Sequence, residues 1–406
     1  MSEQTFAAKN EGMGGHPYPQ MRGNATSKAS LISADYTSRS LRSAISTGHL
    51  PSMWVMALLS LALVLSACAP VTIPVTPAAM PQTSGTASEG ASQAATTPVV
   101  YVYSARHYGL IEPAFVQFTE ETGIEVRFTF GSDTELLERL KAEGRFTPAD
   151  VLFTVDAGNL WLASEEGLLR PIESEVLEQN IPDYLQDPEN RWFALSLRAR
   201  TIMYHPERVS PEELSTYEAL ADPKWKNRLC FRPSTKVYTQ SLVASLIKAH
   251  GEEKAREIVA GWVANNPTYI DSDTRILETI AAGGCDVAIT NHYYLARLLN
   301  ENPEFPVKPF WANQDDRGVH VNVSGVGVTT HARNAENAIR LLEWLSSPAG
   351  QRIFADGNFE YPAVPEVEPH PLLASWGTFK IDTVPVSEFG RLQAAAIKLM
   401  DEVGYE

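Results

Sequence analysis

From Val99 onward, short β-rich runs alternate with helical stretches, and short loops separate them. The runs at residues 99–105, 124–131 and 149–155 predict strands, because β-branched and aromatic side chains dominate them. Between the last two runs lies a predicted helix with Asp133 as N-cap and Gly144 as C-cap. Strands that alternate with helices in this way are typical of parallel βαβ units, so the predicted fold class is α/β.

Two long extended runs predict that the chain crosses twice between lobes. The run at residues 191–205 contains Arg198 and Arg200, and a second α/β pattern follows it. The run at residues 319–330 is the expected return crossing, where glycines ease a bend. At 406 residues, with 44% of them hydrophobic, the chain exceeds what one core accommodates. We therefore expect two discontinuous lobes with a cleft and a hinge: residues 99–194 plus about 325–372, and about 195–324 plus 373–406.

A single long apolar run, residues 53–67, precedes the predicted domain. It is shorter than the roughly 20 residues that a membrane-spanning helix needs, and it fits the apolar core of a signal peptide. Its end, LSAC, resembles a lipoprotein processing site, with Cys68 as the residue that receives lipid. The predicted signal peptide therefore covers residues 53–68, and an ordinary buried cysteine is the alternative.

The segments on either side of this signal peptide do not have the composition of a folded domain. Residues 69–98 are rich in Pro, Ser, Thr, Ala and Gly, which predicts a flexible tether. Residues 1–52 are Ser-rich and Gly-rich without periodicity. We expect them to be an unstructured extension or the product of a misassigned start.

Charge and cysteine content restrict the class of ligand and the compartment. The net charge of −16 argues against nucleic acid as a partner. If Cys68 carries lipid, Cys230 and Cys285 remain as an even pair. An exported protein can join them in a disulfide, although two buried thiols are an equal alternative.

No familiar catalytic motif occurs in the chain. The sequence has no GxSxG, no GxxxxGK[ST], no HExxH and no CxxC, and no GxGxxG follows a predicted strand. This favours a binding protein over an enzyme. The fold pattern alone leaves a sugar, an oxyanion, a polyamine or a metal open as the ligand.

Four phenols and one imidazole follow predicted strands at the points where helices begin. His107 and Tyr108 follow the first strand, Tyr238 follows a strand of the second lobe, and Tyr293 and Tyr294 follow the next. Open α/β sheets bind ligands at such strand ends. We expect all five side chains to face the cleft, although a single tyrosine there is more often a core or rim residue.

A cluster of phenols is suited to a highly charged, hard cation. A free phenol has a pKa near 10, and phenolates repel one another unless a cation offsets their charge. Ferric ion suits anionic oxygen and tolerates an imidazole, whereas Ca²⁺ and Mg²⁺ prefer carboxylates and Zn²⁺ prefers Cys and His. The pattern would suit a ferric site, with adjacent Tyr293 and Tyr294 splayed toward one ion, and ordinary core or rim tyrosines are the alternative.

The same stretches resemble a known family. VYSARHY, WFALSLRARTIMY, VYTQSLVASLI, CDVAITNHYYLAR and NFEYPAVP are similar to segments of ferric-iron substrate-binding proteins of ABC importers, which are related to bacterial transferrin-like receptors. The resemblance covers residues 99–406. It implies a type II periplasmic-binding fold, no catalysis, and delivery of iron to an inner-membrane permease and its ATPase. The implied ligands are Tyr238, Tyr293 and Tyr294 from one lobe, with Tyr108 and His107 from the other.

The resemblance leaves the oxidation state and the anion open. Some members carry Fe(II), and some bind a synergistic anion, although Tyr108 favours an anion-free site. Arg106, Arg198 and Arg297 are candidates to offset the phenolate charge or to bind an anion, and solvated surface arginines are the alternative. Arg297 lies four residues after Tyr293, which places both on one helical face. The alternative is a receptor for an oxyanion or organic solute, held by Arg198 and Arg200. In either case we expect an exported monomer, lipid-anchored at the periplasmic face of the inner membrane or at the outer cell surface.

Overall fold

The computed structural model describes residues 97–106 and 108–406, without the side chain of Tyr108. The predicted extension, the signal peptide with Cys68, all but the last two residues of the linker, and His107 lie outside the described residues. Within the described ranges, no helix is both long enough and apolar enough to cross a membrane.

The strands of the described part join in one sheet. They are β1 Val99–Ser104, β2 Glu125–Phe130, β3 Val151–Thr154, β4 Phe193–Tyr204, β5 Leu229–Phe231, β6 Thr268–Tyr269, β7 Val287–Asn291, β8 Lys308–Phe310, β9 Val321–Val328 and β10 Tyr361–Pro362. The order along the sheet is β2-β1-β3-β9-β4-β7-β5-β6, and β8 and β10 pair with β4.

The α-helices occupy the connections between these strands and the C-terminal part of the chain. They are α1 Tyr108–Thr122, α2 Asp133–Glu143, α3 Ala157–Glu165, α4 Glu175–Asn180, α5 Val237–His250, α6 Glu252–Ala264, α7 Asp273–Ala281, α8 His292–Glu301, α9 Ala335–Leu345, α10 Pro348–Asn358, α11 Pro371–Ala374 and α12 Ser387–Glu402.

Strands β4 and β9 join two parallel groups of strands. In one group β1 pairs in parallel with β2 and β3, and in the other β5 pairs in parallel with β6 and β7. The first part of β4, up to Ala199, pairs with β9, and the second part, from Arg200, pairs with β7. These are the two predicted crossings, and the α/β class is confirmed. The lobe boundaries stay a prediction.

The two crossing strands are buried along their whole length. A Cβ on Gly325 would lie 2.7 Å from the carbonyl oxygen of Phe193 and 2.8 Å from a methyl group of Leu160. A Cβ on Gly327 would lie 2.7 Å from the carbonyl oxygen of Arg191. These glycines therefore allow β9 to approach its neighbours closely, which is a different role from the predicted bend.

The predicted caps of α2 are half right. Ser132 is the N-cap: its hydroxyl accepts from the backbone N–H of Glu135, whose carboxylate accepts from the N–H of Ser132 at 2.8 Å. Asp133 is the first helical residue, so its prediction as the cap is wrong, because the capping box fixes the helix start one residue earlier. The predicted C-cap at Gly144 is confirmed.

A disulfide joins Cys230 to Cys285. Cys230 lies in β5, Cys285 lies just before β7, and the two strands are parallel neighbours. Both cysteines are buried in a small apolar cluster that includes Met203 and Leu295. Of the two states that the sequence left open, the structure therefore has the bonded one.

Candidate functional site

Three phenols and three guanidinium groups line one cleft of about 440 Å³. Strand-to-helix corners of the second parallel group supply the phenols, and the guanidinium groups come from the end of β1, from β4 and from α8. The groups are Tyr238, Tyr293, Tyr294, Arg106, Arg198 and Arg297. The structure thus brings together every predicted site residue of the cleft whose side chain it describes.

The phenols lie in the cleft because each is in the first turn of a helix that follows a strand. Tyr238 is the second residue of α5, and Tyr293 and Tyr294 are the second and third residues of α8. Tyr108 is the first residue of α1. A helix N-terminus carries partial positive charge, which favours a phenolate in its first turn by about 0.3–1 kcal/mol.

The rings of Tyr293 and Tyr294 converge. Their centroids lie 4.3 Å apart with 34° between the planes. Adjacent helical residues point about 100° apart, which is why the sequence predicted a splayed pair. In the structure the two rings lie side by side and line the same cleft.

The phenol pair is protonated at neutral pH in this environment. Burial raises the pKa of Tyr293 well above its usual value, and Tyr238 and Tyr294 raise it further. Burial also raises the pKa of Tyr294, again with a contribution from Tyr238. A cation that binds these oxygens as phenolates must therefore displace their protons, which a highly charged cation can do.

Arg198 lies behind Tyr238 and is only 2% exposed. Its Nη1 donates to the Tyr238 hydroxyl at 3.4 Å, and its guanidinium lies 5.4 Å from the centroid of that ring. Nη2 donates to the carbonyl oxygens of Val155 and Val323. The backbone thus fixes a cation within electrostatic reach of a phenolate at Tyr238.

Arg297 takes the equivalent place beside the phenol pair. Its guanidinium lies 5.2 Å from the ring centroid of Tyr293 and 5.8 Å from that of Tyr294. Its Nη2 donates to the Oδ1 of Asn358. The four-residue spacing between Tyr293 and Arg297 predicted their common helical face.

Arg106 is paired with a carboxylate that the sequence analysis did not identify. Its Nη1 lies 3.0 Å from Oε2 of Glu360, and both side chains are 2% exposed. Burial alone would raise the pKa of Glu360, but Arg106 and Arg198 outweigh this and hold it below its usual value. Glu360 follows α10 in the NFEYPAVP motif, and no local pattern distinguishes it from a surface glutamate.

Two other polar residues near the cleft, one of them the Arg200 of the alternative ligand class, have structural partners. Arg200 donates to the carboxylate of Asp273 at 3.2 Å and to Asn291 at 3.3 Å, and it does not line the cleft. His292 is fully buried: Nδ1 accepts from the N–H of Ala199, and Nε2 donates to the carbonyl of Phe359 at 2.8 Å. Burial lowers the pKa of His292 to about 4, so it is a neutral structural residue.

Phenols set this cleft apart from the commoner metal sites. Among the described residues, no group of three or more His, Cys, Asp or Glu side chains is arranged to hold a metal ion. The oxygen ligands that the described part offers to a cation in the cleft are therefore mainly the hydroxyls of tyrosine.

Residues 114–381 match the family model of the bacterial extracellular solute-binding proteins. The chain belongs to this family. Among relatives of this solute-binding protein are Iron uptake proteins A1 and A2 of Synechocystis sp., which are 45% and 43% identical over 314 and 321 residues. These alignments cover 76% and 77% of this chain and 87% and 91% of the relatives.

Solved structures give the same family and fold. A Trichodesmium FutA protein in complex with iron and citrate is 46% identical and superposes with a TM-score of 0.73. The match covers 76% of this solute-binding protein and all of that chain. The type II fold with two lobes, a central cleft and a two-strand hinge, which the sequence predicted, is confirmed.

Proposed function

We propose that this solute-binding protein captures Fe(III) through the phenolates of Tyr238, Tyr293 and Tyr294. The observation that carries the proposal is the convergence of these phenols, from two strand-to-helix corners, on one cleft. The relatives named iron uptake proteins support iron as the cargo. Delivery then goes to an ABC permease and its ATPase, with no catalytic step.

Tyr108 completes this site from the other lobe, and His107 is a further candidate ligand beside it. Tyr108 begins α1, so its position in the chain matches that of the three cleft phenols in their own helices. Four phenolates exceed the charge of Fe(III) by one. The guanidinium groups of Arg106, Arg198 and Arg297 offset this surplus, so the site needs no synergistic anion.

Iron binding closes the two lobes in this proposal. An ion that binds ligands from both lobes has higher affinity for the closed state and shifts the population toward it. The lobes are those predicted from the sequence, residues 99–194 with about 325–372 and about 195–324 with 373–406, and β4 and β9 form the hinge. Fe(II), which needs less negative charge, is a second cargo for the same cleft.

A lipid anchor at Cys68 keeps the receptor near its permease. The apolar run before Cys68 and the polar tether after it support this arrangement. It places the folded domain, as a monomer, on the periplasmic face of the inner membrane or on the outer cell surface. Incorporation of a labelled fatty acid into the wild type but not into a Cys68→Ala variant tests the anchor, and equal incorporation contradicts it.

Titration with ferric citrate tests the iron site. We expect a broad visible band from phenolate-to-iron charge transfer that saturates at one iron per chain, because the proposed ligands are phenolates. Absorption spectra and metal analysis measure it. Saturation with iron but without the band would refute phenolate ligation.

The same protein can be used to test the alternative ligand class, a small oxyanion or organic solute. Phosphate and sugars, titrated by calorimetry, should give no tight binding. Tight binding of phosphate in the absence of iron would favour the oxyanion receptor instead. Of the two arginines in that alternative, Arg198 lines the cleft, whereas Arg200 is paired with Asp273.

A further inference from the structure

Glu360 is a buried carboxylate at the cleft with three hydrogen-bond donors from three parts of the chain. Oε2 accepts from Arg106 at 3.0 Å and from the hydroxyl of Ser196. Oε1 accepts from the side-chain amide of Asn358. Both carboxylate oxygens therefore already accept hydrogen bonds, and Oε2 accepts two, so Glu360 holds other side chains at the edge of the cleft.

One side of this network is attached to the hinge. Ser196 on β4 and Ser324 on β9 are directly paired across the two strands. Ser196 donates to Glu360, and Arg106 donates to the hydroxyl of Ser324 at 3.0 Å. The Arg106–Glu360 pair thus bridges the two crossing strands, and Arg106 lies two residues before Tyr108.

The other side of the network reaches the phenol pair. Asn358 donates to Glu360 and accepts from Arg297, whose guanidinium lies over the rings of Tyr293 and Tyr294. A continuous chain of polar contacts therefore runs from Arg106, past the serines of β4 and β9, to Arg297 on helix α8.

Phe359, which lies between Asn358 and Glu360, has an unusual backbone conformation that brings its two neighbours into contact. Phe359 is the C-cap of α10 and has φ 54° and ψ 38°, in the left-handed region. This conformation is unfavourable for a bulky residue and persists only where the surrounding structure holds it. Here it turns the chain so that Asn358 and Glu360 contact each other, and the carbonyl of Phe359 accepts from His292.

We infer that Glu360 is a positioning residue for iron capture, an inference that rests on the proposed function. Its carboxylate holds Arg106 against the hinge and, through Asn358, holds Arg297 on the phenol pair. In the state that binds iron, the ligands on the two sides of the cleft are thereby held in register with one another. Removing the charge leaves Arg106 buried without its counterion and releases both ends of the chain of contacts.

The Glu360→Gln variant of the full chain tests this role. We expect its affinity for iron, measured by competition with citrate, to fall about 10- to 100-fold, as for other residues that orient metal ligands. The charge-transfer band should keep its wavelength, because the ligands are unchanged. A wild-type affinity would overturn the inference, and so would a shifted band, since it would make Glu360 a ligand.

Two further variants separate positioning from loss of folding. Asn358→Ala keeps the Arg106–Glu360 pair and should lose about tenfold in affinity; wild-type binding by this variant would overturn the inference even if Glu360→Gln fails to fold. The matched control is Asp187→Asn, which removes another buried carboxylate, bound to Arg191 at 2.7 and 3.1 Å, outside the cleft. It should lose stability but keep its iron affinity.

The wild type in the same series reports on the proposed function alone. The charge-transfer band of the wild type tests whether phenolates bind the iron. The ratio of variant to wild-type iron affinity tests whether Glu360 positions the ligands. A wild type that binds iron with the band, beside an unaffected Glu360→Gln, would leave the ferric receptor intact and remove only the positioning role.

Discussion

The double variant Tyr293→Phe, Tyr294→Phe will lose about a thousandfold or more in iron affinity, well beyond the 10- to 100-fold typical of residues that only orient ligands. Two anionic oxygens disappear, whereas the ring volumes and the packing around α8 remain. Tyr293 is buried at 5% exposure, and phenylalanine is isosteric apart from the hydroxyl. Competition with citrate measures the loss, and the visible band should weaken with it.

Tyr361→Phe is the matched control for this result. Tyr361 is also a largely buried phenol, its hydroxyl has no hydrogen-bond partner among the described residues, and it lines a different cavity. Its iron affinity should equal that of the wild type. Full affinity in the double variant, or an equal loss in Tyr361→Phe, would contradict the assignment of the ligands.

Proton release gives a second measurement on the same variants. Each phenol that binds iron loses its proton, and the raised pKa of Tyr293 means that this proton is present at neutral pH. Protons and iron compete for the same oxygens, so affinity falls as pH falls. Calorimetry in buffers of different ionisation enthalpy should show about two fewer protons released by the double variant than by the wild type.

The sequence was sufficient for the features that depend on local pattern. Strand and helix alternation predicted the two parallel groups, and the two long extended runs predicted β4 and β9. The position of Tyr238 and of the phenol pair at the start of helices followed from the same pattern. Even the error at the N-cap of α2 amounts to one residue.

The sequence was insufficient where the site depends on contacts between distant residues. Arg106 and Glu360 are 254 residues apart, and only the folded sheet brings them to the same hinge serines. The left-handed conformation of Phe359 also lacks a local signal, since glycine and asparagine are the usual residues there. The candidate ligands could thus be proposed from the sequence, but the network of contacts around them could not.

The disulfide should make a large contribution to stability. Cys230 and Cys285 are 55 residues apart, and closing a loop of this length in the unfolded chain stabilises the folded state by roughly 4 kcal/mol. The free energy of unfolding of the Cys230→Ala, Cys285→Ala variant should therefore be lower than that of the wild type by about this amount. Chemical denaturation of the iron-free protein, with the wild type in the presence and absence of reductant, measures the difference.

Loss of the disulfide should leave the colour of the iron-loaded protein unchanged. Cys285 lies before β7 and Tyr293 after it, and a strand of five residues separates the two ends by roughly 16 Å. The pairing of β5 with β7, together with the apolar cluster around the cysteines, still places both strands beside each other. A band altered in wavelength would mean that the disulfide sets the ligand geometry, and a loss of stability below about 1 kcal/mol would contradict the loop-closure argument.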